Sequence, residues 1–227
     1  MKKIIASSAV CLMALGVGVS VSAAPVDQGS TDLRIGFEND STNVPVQDGQ
    51  LGLSRIPTAF DFGQSNRITD KPQVIKTNNS VSQAPQYLAV NDKRAKENKT
   101  GTWKVSVSAS PIVNMDQSVT ENNTLTGTTL SFKTKAMQFA GQDGKGAASP
   151  YQLVDGLNFL TNSITNLKTD GSPSDVDVMS VGDASVAPAN ELGAQVTDVS
   201  LYVPANTGTP NALYSGTVNW TLDATPK

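Results

Sequence analysis

The chain has 227 residues, 38% hydrophobic and 16% charged, with 17 basic against 20 acidic side chains, a single cysteine and no histidine. A slightly acidic balance argues against nucleic acid as a partner. The lack of histidine removes the commonest general base, the commonest transition-metal ligand and every imidazole-dependent triad, and leaves carboxylate chemistry as the route open to an enzyme.

Met1-Lys2-Lys3 precedes an apolar run from Ile4 to Val21 and then Ser22-Ala23. A charged start, an apolar stretch and a small-residue cleavage site predict a secretory signal peptide over residues 1–23. The run is rich in Ala, Ser and Gly and lacks a basic stop-transfer flank, which disfavours a retained anchor. Cys11 lies inside the run behind Ser8-Ala9-Val10, a poor lipobox. Cleavage leaves 204 residues without cysteine and with a net charge of about −5. No membrane contact is then expected, and a body of ~200 residues without disulfides has to be held by packing. A secreted or surface-bound bacterial protein fits these features.

Residues 24–31 are small and polar and are expected to form a flexible leader. Asp32-Leu-Arg-Ile-Gly-Phe-Glu38 alternates, with Leu33, Ile35 and Phe37 inward, and predicts a first strand. Residues 39–52 are polar and turn-rich. Phe60 and Phe62 sit at period 2 in the segment from Ile56 to Gly63, residues 65–72 read as loop, and 74–76 as a short strand. Gln86 to Asn91 is a further strand, and a charged connection leads to Gly101-Thr-Trp-Lys-Val-Ser-Val-Ser-Ala109. There Trp103, Val105, Val107 and Ala109 share one face, opposite Thr102, Lys104, Ser106 and Ser108.

Beyond it, Gly127 to Thr134 alternates through Leu130 and Phe132, and Gly141-Gln-Asp-Gly-Lys-Gly146 is a turn by composition. Leu153, Leu157, Leu160, Ile164 and Leu167 recur at helical spacing and predict one short helix near 151–167. Residues 168–174 read as loop, and 176–181 and 196–203 as strands. After a turn at 204–210 comes Gly216-Thr-Val-Asn-Trp-Thr-Leu-Asp-Ala-Thr-Pro-Lys227, with Val218, Trp220 and Leu222 on one face and Thr217, Asn219 and Thr221 on the other. Many short strands punctuated by Gly, Pro, Asn and Ser predict an all-β fold. We expect a single domain over 32–227, an antiparallel sandwich or barrel-like body of immunoglobulin-like kind.

The residues around the two tryptophans carry a resemblance. Leu201-Tyr-Val-Pro204 followed by Tyr214-Ser-Gly-Thr-Val-Asn-Trp-Thr-Leu-Asp-Ala-Thr-Pro226, and Val90-Asn-Asp-Lys-Arg94 followed by Gly101-Thr-Trp-Lys-Val-Ser-Val107, resemble the paired Trp-x-Leu motifs of WxL-domain proteins of Gram-positive surfaces. Phe60-Asp-Phe-Gly63 is similar to that family's N-terminal segment. The internal motif departs from the pattern, with Val105 where the family has leucine. The resemblance implies non-catalytic, non-covalent attachment to the cell wall, with peptidoglycan as ligand and larger surface proteins of the same gene clusters as companions. No Leu-Pro-x-Thr-Gly sorting motif occurs in the sequence, so binding is expected to keep the protein on the wall. The alternatives are a structural subunit of a surface complex held by a partner, a host-matrix adhesin and, last, a carboxylate-based wall hydrolase.

Trp103, Val105, Trp220 and Leu222 are the candidate binding residues. An indole offers a wide flat platform for a sugar face, but tryptophans on the apolar face of a strand are more often core. Asp92 and Arg94 either pair at the start of the Trp103 strand or form a solvated surface pair. Asp170, Asp175 and Asp177 form an acidic loop of calcium-ligand chemistry, but their spacing fits no EF-hand and Pro173 interrupts them. No catalytic residue, metal ligand or cofactor site is expected.

Overall fold

The computed structural model describes residues 26–34, 42–43, 46–77, 85–116, 118–141, 146–172, 175–189 and 191–225. The expected signal peptide lies outside these residues, as do Ile35 and Phe37 of the expected first strand and most of the 141–146 turn. Fourteen strands are described: β1 Asp27–Arg34, β2 Thr42–Asn43, β3 Leu51–Ile56, β4 Gln73–Lys76, β5 Gln86–Asp92, β6 Thr102–Ala109, β7 Val113–Asn114, β8 Thr129–Phe139, β9 Ala148–Pro150, β10 Phe159–Thr161, β11 Ile164–Lys168, β12 Val176–Val181, β13 Glu191–Val203 and β14 Tyr214–Thr225. The only helical elements among the described residues are two single 3-10 turns, Lys96–Asn98 and Ala184–Val186. No helix among the described residues is long and apolar enough to cross a membrane.

Two antiparallel sheets pack face to face. The first runs β1-β14-β6-β12-β10, with β7 also on β14; the second runs β11-β8-β13-β5-β3-β2, with β4 on β13 and β9 on β8. The inner faces are made by the alternating apolar residues. Trp103, Val105, Val107, Val218, Trp220 and Leu222 come from the first sheet, and Leu88, Val90, Leu130, Phe132, Leu192 and Val196 from the second, all in one buried cluster. Phe132 meets Trp220 across the sandwich, with ring centroids 5.8 Å apart, and Phe60 lies 6.3 Å from Phe132.

Three expectations change. Residues 151–167 form no helix; they make a turn followed by β10 and β11. Gly156, Asn158 and Asn166 have φ of 77°, 49° and 56°, the left-handed region that a right-handed helix cannot contain. Leu157, Ile164 and Leu167 are buried, but Leu153 is 94% and Leu160 60% exposed, so the helical spacing does not mark a buried face. Residues 27–31 of the expected leader belong to β1, paired with β14 from Asp27↔Leu222 to Arg34↔Ser215. This strand has little apolar surface and is held by polar bonds. The Asp27 carboxylate accepts from the backbone N–H of Leu53 at 2.8 Å, and the Thr31 side chain is fully buried. Finally, residues 57–63 run irregularly, with Phe60 and Phe62 both buried, and the strand lies just ahead of them in β3. All six β3 residues are buried, because this strand is covered on both faces and so shows no alternation.

Candidate functional site

β6 and β14 are neighbours, and their register explains the motif spacing. Trp103 stands opposite Ala224, Val105 opposite Leu222, and Val107 opposite Trp220. The two motifs are therefore related by a local two-fold through the Val105–Leu222 pair. Each indole faces a smaller side chain across the ladder, and the third residue of one motif packs beside the third residue of the other. Val105 replaces the pattern's leucine at that axis, a change the site absorbs by leaving Leu222 as the larger member of the pair. Val105, Trp220 and Leu222 are fully buried and Trp103 is 2% exposed. All four candidate residues are brought together, and in the core rather than on an open surface.

The two indoles differ in their polar ends. Trp220 Nε1 donates to Thr31 Oγ1 at 2.6 Å, and the Thr31 hydroxyl in turn donates to the Pro57 carbonyl. Thr31 thus ties the N-terminal strand to the C-terminal motif. Trp103 packs against Phe159, with centroids 6.2 Å apart, and Phe159 meets Tyr151 edge-on at 5.1 Å. Its Nε1 has no hydrogen-bond partner among the described residues. Replacing either tryptophan by phenylalanine removes similar volume, but only Trp220→Phe also removes a bond. Trp220→Phe is therefore expected to cost about 1 kcal/mol more than Trp103→Phe, the net worth of one buried hydrogen bond. Urea midpoints of the two variants measure this difference, and equal losses would contradict the role given to Thr31.

Turning the indoles inward turns the polar residues outward. On the uncovered side of the first sheet, Ser30 stands opposite Asn219 and Gln28 opposite Thr221. Asn219 and Thr221 in turn face Ser108 and Ser106, and Asp223 faces Lys104. Lys104 also reaches Asp177 of β12 at 3.0 Å. The result is a face of hydroxyls and amides around the exposed Asn219, with Lys104, Asp177 and Asp223 at one side and Ser106 buried.

The other singled-out groups have local roles. Arg94 grips Asp92 with two bonds of 2.8 Å, and Asp92 is 8% exposed, so this is a part-buried bidentate pair rather than a solvated one. These bonds raise the Arg94 pKa above its usual value. Asp170 faces the Ser172 hydroxyl and accepts from Ser172 N at 2.9 Å, and the side chain first and the backbone second lower its pKa, whereas Asp177 is engaged by Lys104. The acidic loop is thus divided between different partners, and among the described residues no group of three or more acidic or thiol side chains could hold a metal ion.

Sequence reasoning passed over Thr31, which lies in a stretch too polar to signal a strand. It also passed over a cleft at one end of the sandwich, between the 62–75 segment and the 205–214 loop. The positive φ preferences of Gly63, Asn206, Gly208 and Asn211 were the available signal for tightly turned loops there.

A family model described as WxL domain surface cell wall-binding matches residues 20–226. No curated protein and no solved structure matches the chain significantly.

Proposed function

The chain belongs to the WxL domain surface cell wall-binding family, and from that premise we propose that it is a non-catalytic protein that associates non-covalently with peptidoglycan at the cell surface. The observation that carries this reading is the pairing of β6 and β14. Both motifs spend their apolar residues on the core, and the same two strands present Asn219, Thr221 and Ser108 on the opposite face, with Ser106 buried between them. The motif then acts as the keystone of a binding body, and its tryptophans support the contact surface from beneath. Side-chain hydroxyls and amides suit a polysaccharide, whose own hydroxyls and acetamido groups both donate and accept hydrogen bonds.

The purified protein lacking residues 1–23 is expected to sediment with isolated Gram-positive cell walls and to release no soluble fragments from them. Failure to sediment, with a β-type circular dichroism spectrum showing correct folding, would count against direct wall binding.

A second reading has an observation of its own. Leu153 and Leu160 project from the turn and strand that replace the expected helix, and are 94% and 60% exposed. Side chains of this kind suit a protein partner, so the molecule would also serve as a subunit of a surface complex. Sedimentation that appears only when a second surface protein is added would select this reading.

A further inference from the structure

The cleft at the end of the sandwich is lined by apolar side chains below and polar ones above. Phe62, Leu125, Leu201 and Tyr214 form its floor, and its cavity volume is about 90 Å³. That is room for the tip of a ligand rather than for the whole of a drug-sized one. Of all its lining residues only Arg67 carries a charge, in a chain whose acids outnumber its bases.

The cleft is built before any ligand arrives. Asn206 N donates to Thr69 O at 2.8 Å and joins the two walls. Tyr214 Oη accepts from Thr209 N and donates to Asn122 O, each at 2.9 Å, so the ring is held in place. Asn66 Nδ2 bonds the carbonyls of Phe62 and Gly63, and Gln73 Nε2 bonds the Arg67 carbonyl. Asn206 and Asn211 hold positive φ here without being glycine, a modest backbone cost that surrounding bonds must hold, while Gly63 and Gly208 adopt it freely. A preformed site of this kind loses little entropy on binding.

Three polar groups are left uncommitted at the rim among the described residues: the Arg67 guanidinium, the Thr209 hydroxyl and the Gln73 side-chain carbonyl. Together they offer a cation, a neutral hydroxyl that can donate, and an acceptor. We infer that this cleft binds the end of a short peptide, with its terminal carboxylate on Arg67, its amide groups on Thr209 and Gln73, and small aliphatic side chains on the floor. A guanidinium matches a carboxylate with two parallel bonds, whereas a neutral sugar gives it no charge to meet. An alanine-rich peptide with a free carboxylate is the chemistry of a peptidoglycan stem. The inference rests on the wall-binding reading for its source of ligand, and on the cleft alone for its chemistry.

The test is calorimetric titration of the protein lacking residues 1–23 with N-acetyl-alanyl-alanine, in both the L,L and D,D forms, and with the corresponding carboxamides. At least one free acid is expected to bind, with its amide at least tenfold weaker. Arg67→Gln is expected to lose tenfold or more for the acid while keeping the wild-type melting temperature, since Arg67 is exposed. No binding by either acid, equal binding of acid and amide, or unchanged affinity in Arg67→Gln would each overturn the inference. Wall sedimentation run in parallel separates the two readings. A protein that sediments but ignores the acids refutes the cleft and keeps wall binding. A protein that binds an acid through Arg67 but does not sediment keeps the cleft and refutes wall binding.

Discussion

Trp220→Ala is expected to lower the free energy of unfolding by about 3–5 kcal/mol, the range for truncating a large buried aromatic. The ring is fully buried and sits on β14 between β1 and β6. It meets Phe132 of the opposite sheet at 5.8 Å, and its N–H is bonded to Thr31. Truncation therefore opens a cavity where both sheets meet and removes the bond between the indole and Thr31 of β1. A domain of this size is stable by only about 5–15 kcal/mol, so the loss is a large fraction of the total. Urea unfolding at constant m-value measures it. Thr31→Val, which keeps the shape and removes the hydroxyl, is expected to cost about 1–3 kcal/mol by leaving the indole N–H buried without a partner. An unchanged midpoint in Trp220→Ala, accompanied by loss of wall sedimentation, would reassign the indole from core to ligand contact.

The second large effect lies on the outer face of the other sheet. Arg55 stands 3.6 Å from Glu191, whose carboxylate is fully buried, and its guanidinium lies 4.1 Å above the Phe139 ring. One of its N–H groups donates to the Gly146 carbonyl at 2.9 Å. Tyr87 closes the other side of Phe139 edge-on, with centroids 5.4 Å apart. Ala89 and Met137 complete this satellite core beneath β9. Neither Glu191 oxygen has a hydrogen-bond partner among the described residues, so Arg55 supplies the compensating charge. Arg55→Ala strands that carboxylate and also removes the cation over Phe139, with an expected cost of about 3–5 kcal/mol. The double variant Arg55→Met, Glu191→Leu is expected to recover most of the loss, because removing both charges removes the desolvation penalty together with the attraction. A double variant no more stable than Arg55→Ala would show that the pair contributes through shape and not through charge.

The amount that could be read without coordinates differs from element to element. β6 and β14 are plain in the sequence because each has one face in the core and one turned mostly to water, and a half-buried strand writes its orientation as a period of two. The motif spacing around Trp103 and Trp220 likewise identifies the family. β3 does not show in the sequence because it is covered on both faces, and the first strand, expected from Asp32, begins already at Asp27 because backbone pairing and the polar bonds of Asp27 and Thr31 hold its start. Leu153 to Leu167 carried a helical period by coincidence, which three left-handed residues overrule.

At the candidate site the sequence determined which faces of the two tryptophan strands are apolar and which are hydroxylated. Only the tertiary structure decided that these strands are neighbours, that their motifs meet at Val105 and Leu222, and that the indole of Trp220 is satisfied by Thr31, 189 positions away. The same holds for Arg55, whose side chain donates to a carbonyl 91 positions on. Side-chain periodicity is a property of consecutive residues and is visible along the chain. Strand pairing, the filling of a shared core and the satisfaction of buried polar groups depend on residues that only folding brings together.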